Sequence, residues 1–521
     1  MNPMIAQPAP RTIMMTHFSL TTHALLLALS AASAVTCAAA ERVPYDLSKE
    51  TYKTETLFSY DGCMDHRLMG NSGEPKVYKN HVYLATIAYG RHPRILQVPL
   101  DGGKAKIGHL EPDFQISEDS HRYFIVGIDK NGYIHVTGGM HGGPWRYWIS
   151  AKPEDVSKFV PTVPGRLSKE FESTPEDVAE IVPAVRGQQQ SPPGYGITYP
   201  HFFADTAGNL YIQARGSVPS FQKGRERKIV QIGLLSVYDA EKRTWRLWGA
   251  DIPKGYGGRP GYPVTVWEDN FHNGEAGVGW YGRNTADFVA ARDNTLHFLF
   301  NVLNYSPPSG RLNDSDEGGG GKNILYATSK DGGRTLQRTN GSKVEWPVRA
   351  EAGPYQPDVI YDAAADYAAA ERNGGAFPGL VGATIQLDWK NRPMIRAHKK
   401  ISNEAVVFRL EDRKWVSCPA KAFGKWRDNA GVLMKPVEKS GEVVRLWDEE
   451  HSRVVKLGQE IEKLDEDYLR DTGTMIYTTK NPKAGNKVIN IMRTTIQRPA
   501  TGAGSGLTQE STTVNDKGTK R

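Results

Sequence analysis

Four residues at corresponding places in two stretches carry usable chemistry. Asp119–Gly143 holds His121 and His141, and Tyr199–Arg215 begins on a phenol and ends on a guanidinium. A neutral imidazole takes a proton near neutral pH. A guanidinium grips a carboxylate through two parallel hydrogen bonds, and a carboxylate so held loses part of its charge, which acidifies the neighbouring C–H. A phenol donates to a departing oxygen, or serves as base if its pKa of ~10 is lowered. Together these are the parts for β-elimination beside a uronic acid carboxylate. That chemistry obliges no metal or redox cofactor.

Each pair needs an element that brings its members together. Tyr123–Ile128 and Tyr133–Thr137 are strand-like runs on either side of Asp129-Lys130-Asn131-Gly132, a strong turn sequence. Pairing about the middle of that turn places His121 opposite Met140 or His141, at the open end of one hairpin. The second stretch turns at Asp205-Thr206-Ala207-Gly208. Pairing across a three-residue loop there places Tyr199 directly opposite Arg215.

The same pattern of strand, Asp/Asn/Gly turn and strand returns along the chain. Val77–Ala88 turns at Lys79-Asn80, and Arg146–Ser150 reads as the next strand of the histidine unit. Later hairpins turn at Arg292-Asp293-Asn294, Lys390-Asn391-Arg392 and Lys439-Ser440-Gly441. Residues 41–60 read as polar and irregular, 151–197 as a long insertion with a short helix at 175–181, and 349–378 as a second insertion. Five or six units are clear, and one more is expected in 41–75 or 455–497. Repeated four-stranded antiparallel units predict an all-β fold, a single β-propeller of seven blades over residues 41–497. In such a fold equivalent hairpin ends share one face, so His121, His141, Tyr199 and Arg215 are expected to converge. A two-sheet sandwich is the alternative, but it rarely needs this many hairpins.

The chain has 521 residues and a net charge of +7, without the polybasic block of a nucleic-acid binder. Arg11 and His17 precede the apolar run Ala24–Leu29, and Ala38-Ala39-Ala40 closes the segment before Glu41. That predicts a secretory signal peptide over residues 1–40 and a secreted or periplasmic protein. The apolar run is too short for a membrane span, and Ala34-Val35-Thr36 before Cys37 is a poor lipoprotein signal. Cys63 and Cys418 remain, either as one disulfide or as two thiols. Residues 498–521 are Gly/Ser/Thr-rich and are expected to form a disordered tail.

The motifs SHRY…DKNGYIHV…MHGG, TYPHFF…GNLYIQARG and ILYATSKDGGRT together resemble the BNR-repeat polysaccharide lyases, over roughly residues 60–450. The resemblance implies a secreted seven-bladed propeller that cleaves rhamnose–uronate bonds by elimination. It places the family's two histidines, tyrosine and arginine on His121, His141, Tyr199 and Arg215. The Asp-box Ser329–Thr335 ends in Leu336 where Trp is usual, and it is a structural turn shared with sialidases. Trp145, Arg146, Trp280, Arg283 and Asn284 are candidate groove-lining residues, against the plainer reading that they pack. Each catalytic candidate has its own plain reading: a structural His, a packing Tyr before Pro200, an Arg paired with a carboxylate. Cys63 with Asp65 and His66 lacks the spacing of a metal site. A structural divalent metal is compatible with the sequence, with His201 its better candidate. The expected partner is an anionic uronate polysaccharide, met by a monomer. A sialidase-type hydrolase and a non-catalytic glycan-binding propeller are the competing readings.

Overall fold

The computed structural model describes residues 47–63, 73–110, 115–116, 121–141, 145–162, 196–219, 229–251, 263–267, 286–303, 321–349, 355–362, 366, 379–388, 391–399, 402–419, 426–427, 433–437, 441–446, 452–480 and 488–497. The signal peptide, the tail, the 175–181 helix and most of both insertions lie outside them. The fold is all-β and propeller-like, built from sets of antiparallel strands.

The hairpins form because a local turn recurs. Gly132 N–H donates to the Asp129 carbonyl, Gly208 to Asp205, Asn294 to Ala291 and Asn391 to Asp388. The donor in each turn has positive φ: 84° at Gly132, 76° at Gly208, 61° at Asn294 and 64° at Asn391. Only glycine and asparagine take that conformation readily, which is why the sequence shows Gly or Asn there. Asp129 Oδ1 accepts from the amides of Asn131 and Tyr133, and Asp205 Oδ1 from those of Ala207 and Asn209. The residue six positions on reaches the second carboxylate oxygen. Tyr211 donates to Asp205 Oδ2 at 3.1 Å, and His135 Nε2 lies 3.3 Å from Asp129 Oδ2.

Four sheets follow the hairpins in simple order. The first is Lys76–Tyr78, His81–Ala88, His92–Pro99 and Lys106–His109; the second is Phe124–Ile128, Ile134–Gly138, Tyr147–Ser150 and Phe159–Thr162. The fifth is Leu380–Leu387, Pro393–Lys399, Ala405–Glu411 and Lys414–Cys418; the sixth is Trp426–Arg427, Leu433–Val437, Glu442–Leu446 and Ser452–Lys456. Between them, the third is centred on Gly196–Ala204, Leu210–Pro219 and Ile229–Asp239, the fourth on Ala286–Ala290, Leu296–Leu303 and Gly321–Ser329. The strand Phe159–Thr162 corrects the expected insertion: residues up to 162 complete the second sheet.

The missing unit, the seventh sheet, proves to be assembled from both expected places. The strand Thr51–Asp61 pairs with Val488–Gln497, which continues to Met475–Lys480 and Lys463–Leu464. Residues 51–60, expected to be irregular, therefore belong to an outer strand, Thr51–Asp61, whose half-buried and exposed positions are those of a strand with one face covered. A short helix, Glu466–Thr472, is capped by the Asp465 side chain and ends at Gly473 with φ 73°.

Apolar clusters lie between neighbouring sheets. One joins Phe124, Val126 and Trp148 of the second sheet to Tyr83, Ile87 and Ile95 of the first. Another joins Ile125 and Ile149 of the second to Ile212, Leu234 and Trp245 of the third. Further clusters join third to fourth, fourth to fifth, sixth to seventh, and seventh back to first. Gly127 shows how closely the second and third sheets approach. A Cβ there would stand 2.7 Å from Phe202 and 2.9 Å from Leu210.

Successive turns also touch at one end of the sheets. Tyr78 donates to the Lys130 carbonyl, Lys130 packs on Gly208, Thr206 donates to Asn294 Oδ1, and Arg292 N–H donates to Asn391 Oδ1. Equivalent hairpin ends therefore do share a face, and the open ends with the candidate residues lie opposite it. Cys63 is buried beside Thr86 in the core between the seventh and first sheets, and Cys418 lies in the fifth. Both are free thiols, so the disulfide option is excluded.

Candidate functional site

The histidine hairpin keeps the register set by its turn. Phe124 pairs with Gly138 and Gly127 with His135, and extending that register puts His121 opposite His141. Beyond the ladder, Gly139 N–H still donates to the Tyr123 carbonyl at 3.0 Å. The two imidazoles stack with centroids 4.0 Å apart and planes 13° from parallel. His121 is partly exposed and His141 exposed, so neither points into a core.

The neighbouring hairpin departs from the expected register. His201 pairs with Gln213 as its turn dictates, but the register then shifts, and Arg215 faces Thr198 rather than Tyr199. The cause is a bulge at Tyr199-Pro200. Proline has no amide hydrogen to continue the ladder, and Tyr199 takes φ 53°. The bulge still leaves phenol and guanidinium together, because Arg215 Cζ lies 4.7 Å from the Tyr199 ring centroid. The Tyr199 ring in turn lies 5.3 Å from that of His121. All four predicted catalytic residues thus form one chain of contacts: His141, His121, Tyr199, Arg215.

The site is graded in depth, not an open groove throughout. The histidines face solvent, while Tyr199 is 5% exposed and Arg215 3% exposed. The cluster that buries Tyr199 includes Met140, Trp145, Tyr123 and Tyr147 of the histidine sheet. An anion seated at the mouth would meet imidazole first, phenol next, and the positive charge at the floor. A charge held in such a dehydrated floor acts more strongly than one in water.

Trp145, 7% exposed, donates its indole N–H to Thr137 Oγ1 at 3.1 Å and belongs to the apolar cluster between the second and third sheets. Arg146 is half-buried, and its pKa is lowered from the usual arginine value by burial and by repulsion from Arg122. Trp280, Arg283 and Asn284 lie outside the described residues. His201 Nε2 is 3.4 Å from the Tyr123 hydroxyl. Among the described residues no group of three or more His, Cys, Asp and Glu is placed to hold a metal ion.

Sequence reasoning missed a buried polar group nearer the turn end of the histidine hairpin. His135, fully buried, is hydrogen-bonded through Nδ1 to the Tyr147 hydroxyl and faces Asp129 through Nε2. Burial lowers the His135 pKa and raises that of Tyr147 well above the usual phenol value. The six-residue spacing from Asp129 to His135, shared with Asp205 and Tyr211, was the available signal.

The model of a BNR repeat-containing family matches residues 81–422, more than half of the chain. No curated protein matches. Among solved structures, the polysaccharide lyase Uly1 is 13% identical with a TM-score of 0.53, over 87% of this chain and 99% of that one. An ulvan lyase described as a new family of polysaccharide lyase is 12% identical with a TM-score of 0.47, over 84% of this chain and 95% of that one. The likeness to Uly1 shows a shared fold.

Proposed function

The chain belongs to the BNR repeat-containing family, and from that premise we propose that it is a secreted polysaccharide lyase cleaving a uronate-containing glycan by β-elimination. The substrate class is a rhamnose–glucuronate polymer of the ulvan kind. The observation that carries this reading is the contact chain of base, acid and cation at one open end: imidazoles stacked at 4.0 Å, a phenol ring 5.3 Å from His121, and a guanidinium 4.7 Å from the phenol ring.

In the proposed step an imidazole of the histidine pair takes the C5 proton of the uronate. The electron pair left at C5 forms the C4–C5 double bond, and the C4–O bond to the next sugar breaks. Tyr199 gives its proton to that departing oxygen. Arg215 supplies the fixed positive charge against which the carboxylate's negative charge builds, and stabilisation that grows in the transition state raises turnover. The products are a new chain end and an unsaturated uronate.

The test is to incubate the protein with a panel of uronate polysaccharides and follow ultraviolet absorbance of the conjugated double bond. Absorbance rising with chain scission supports the reading. Reducing ends without that absorbance would identify a hydrolase, and retention on a glycan without scission would identify a binding module.

A further inference from the structure

We propose that Tyr123 is a positioning residue that fixes Tyr199 against the histidine pair. The inference rests on the lyase reading above and adds a residue to it. Tyr123 follows His121 by two positions, so in an extended chain both side chains lie on the same face. Its carbonyl accepts from Gly139 N–H at 3.0 Å, two residues before His141. Its hydroxyl donates to the Pro200 carbonyl at 3.2 Å, the residue after Tyr199. One side chain and its own backbone therefore touch the segments that carry His121, His141 and Tyr199.

The bulge needs such a hold. Tyr199 sits at φ 53°, a left-handed conformation that a bulky side chain keeps only where its surroundings impose it. The ladder cannot impose it, since the register breaks between Thr198 and His201 and Pro200 has no amide hydrogen. The Tyr123 hydroxyl reaches across from the second sheet to the third at that break. While donating to Pro200 it is also 3.4 Å from His201 Nε2, on the next residue of the same strand. Tyr123 is 5% exposed, so the contact is shielded from water.

The experiment is Tyr123→Phe, which keeps the ring and removes the hydroxyl, with Tyr83→Phe as control. Tyr83 is also buried and accepts from Gln97 at 3.1 Å, in the first sheet. On a uronate polymer that the parent cuts, Tyr123→Phe is expected to lower kcat about tenfold or more while KM stays within about twofold, because geometry and not affinity is lost. Unchanged kcat would overturn the proposal. A second measurement does not need turnover. The His121 and His141 ring-proton resonances, shifted by the neighbouring rings, should move in Tyr123→Phe and stay put in Tyr83→Phe. Unmoved resonances overturn the positioning role. Failure of the parent to eliminate any uronate polymer rejects the lyase reading, and the resonance result then decides the positioning role alone.

Discussion

Arg215→Lys separates charge from geometry at the floor of the site. Lysine keeps the positive charge but loses the planar fork and the stacking face. In the structure that face lies 4.7 Å from the Tyr199 ring, at a position 3% exposed. If the guanidinium stabilises the charge that builds on the carboxylate, its loss should cost about 2.7 kcal/mol of transition-state stabilisation, a fall of about 10²-fold in turnover. The lost stacking contact carries a separate cost of about 0.5–2 kcal/mol in stability. A protein of this size should then melt a few degrees lower and remain folded. The assay pairs initial rates of double-bond absorbance with thermal melting by circular dichroism on the same preparations. Turnover within about threefold of the parent would refute the role given to Arg215. So would a loss of rate that merely tracks unfolding at the assay temperature.

Tyr199→Phe and His121→Ala should each remove nearly all turnover while retention of the polymer on affinity gels stays near that of the parent; lost retention would make them binding residues. Gly127→Ala should destabilise by about 1–3 kcal/mol in denaturant titrations, because its Cβ would stand 2.7 Å from Phe202; an unchanged midpoint would show that the sheets can part. His297 is pushed down from 6.5 to about 4 by burial, so the unfolded chain binds its proton first on acidification. Its contribution is therefore whole above about pH 6.5 and lost as pH falls towards 4, by up to about 3 kcal/mol. His135 is lowered in the same direction. The urea midpoint should fall across that window, and His297→Gln should flatten the fall; a parent midpoint independent of pH from 6.5 to 4 would contradict it.

What could be read in the sequence was what is decided locally. The turns at Asp129, Asp205 and Asp388 depend on a few residues and one positive φ, so their hairpins and the meeting of His121 and His141 at one open end followed from spacing. The offset of Arg215 from Tyr199 was not legible, because Pro200 only shows its effect once a neighbouring strand demands an amide that is absent. The burial of Trp145 and Arg215 depends on another sheet pressing from outside their own hairpin. Thr51–Asp61 looked irregular because the strand that orders it lies at the other end of the chain.

That last pairing has a kinetic consequence. Thr51 bonds to Gln497, 446 positions away, so this sheet is completed only after nearly the whole chain exists. At typical synthesis rates the first strand waits roughly 20–90 s for its partner. Through that interval it has an unmatched hydrogen-bonding edge, and the three-stranded end of a second copy offers the same fit. Concentrated nascent or refolding chains should thus be prone to trade first strands, each completing the other's sheet. Such a pair would keep every local contact of the monomer, and would be told apart by mass alone.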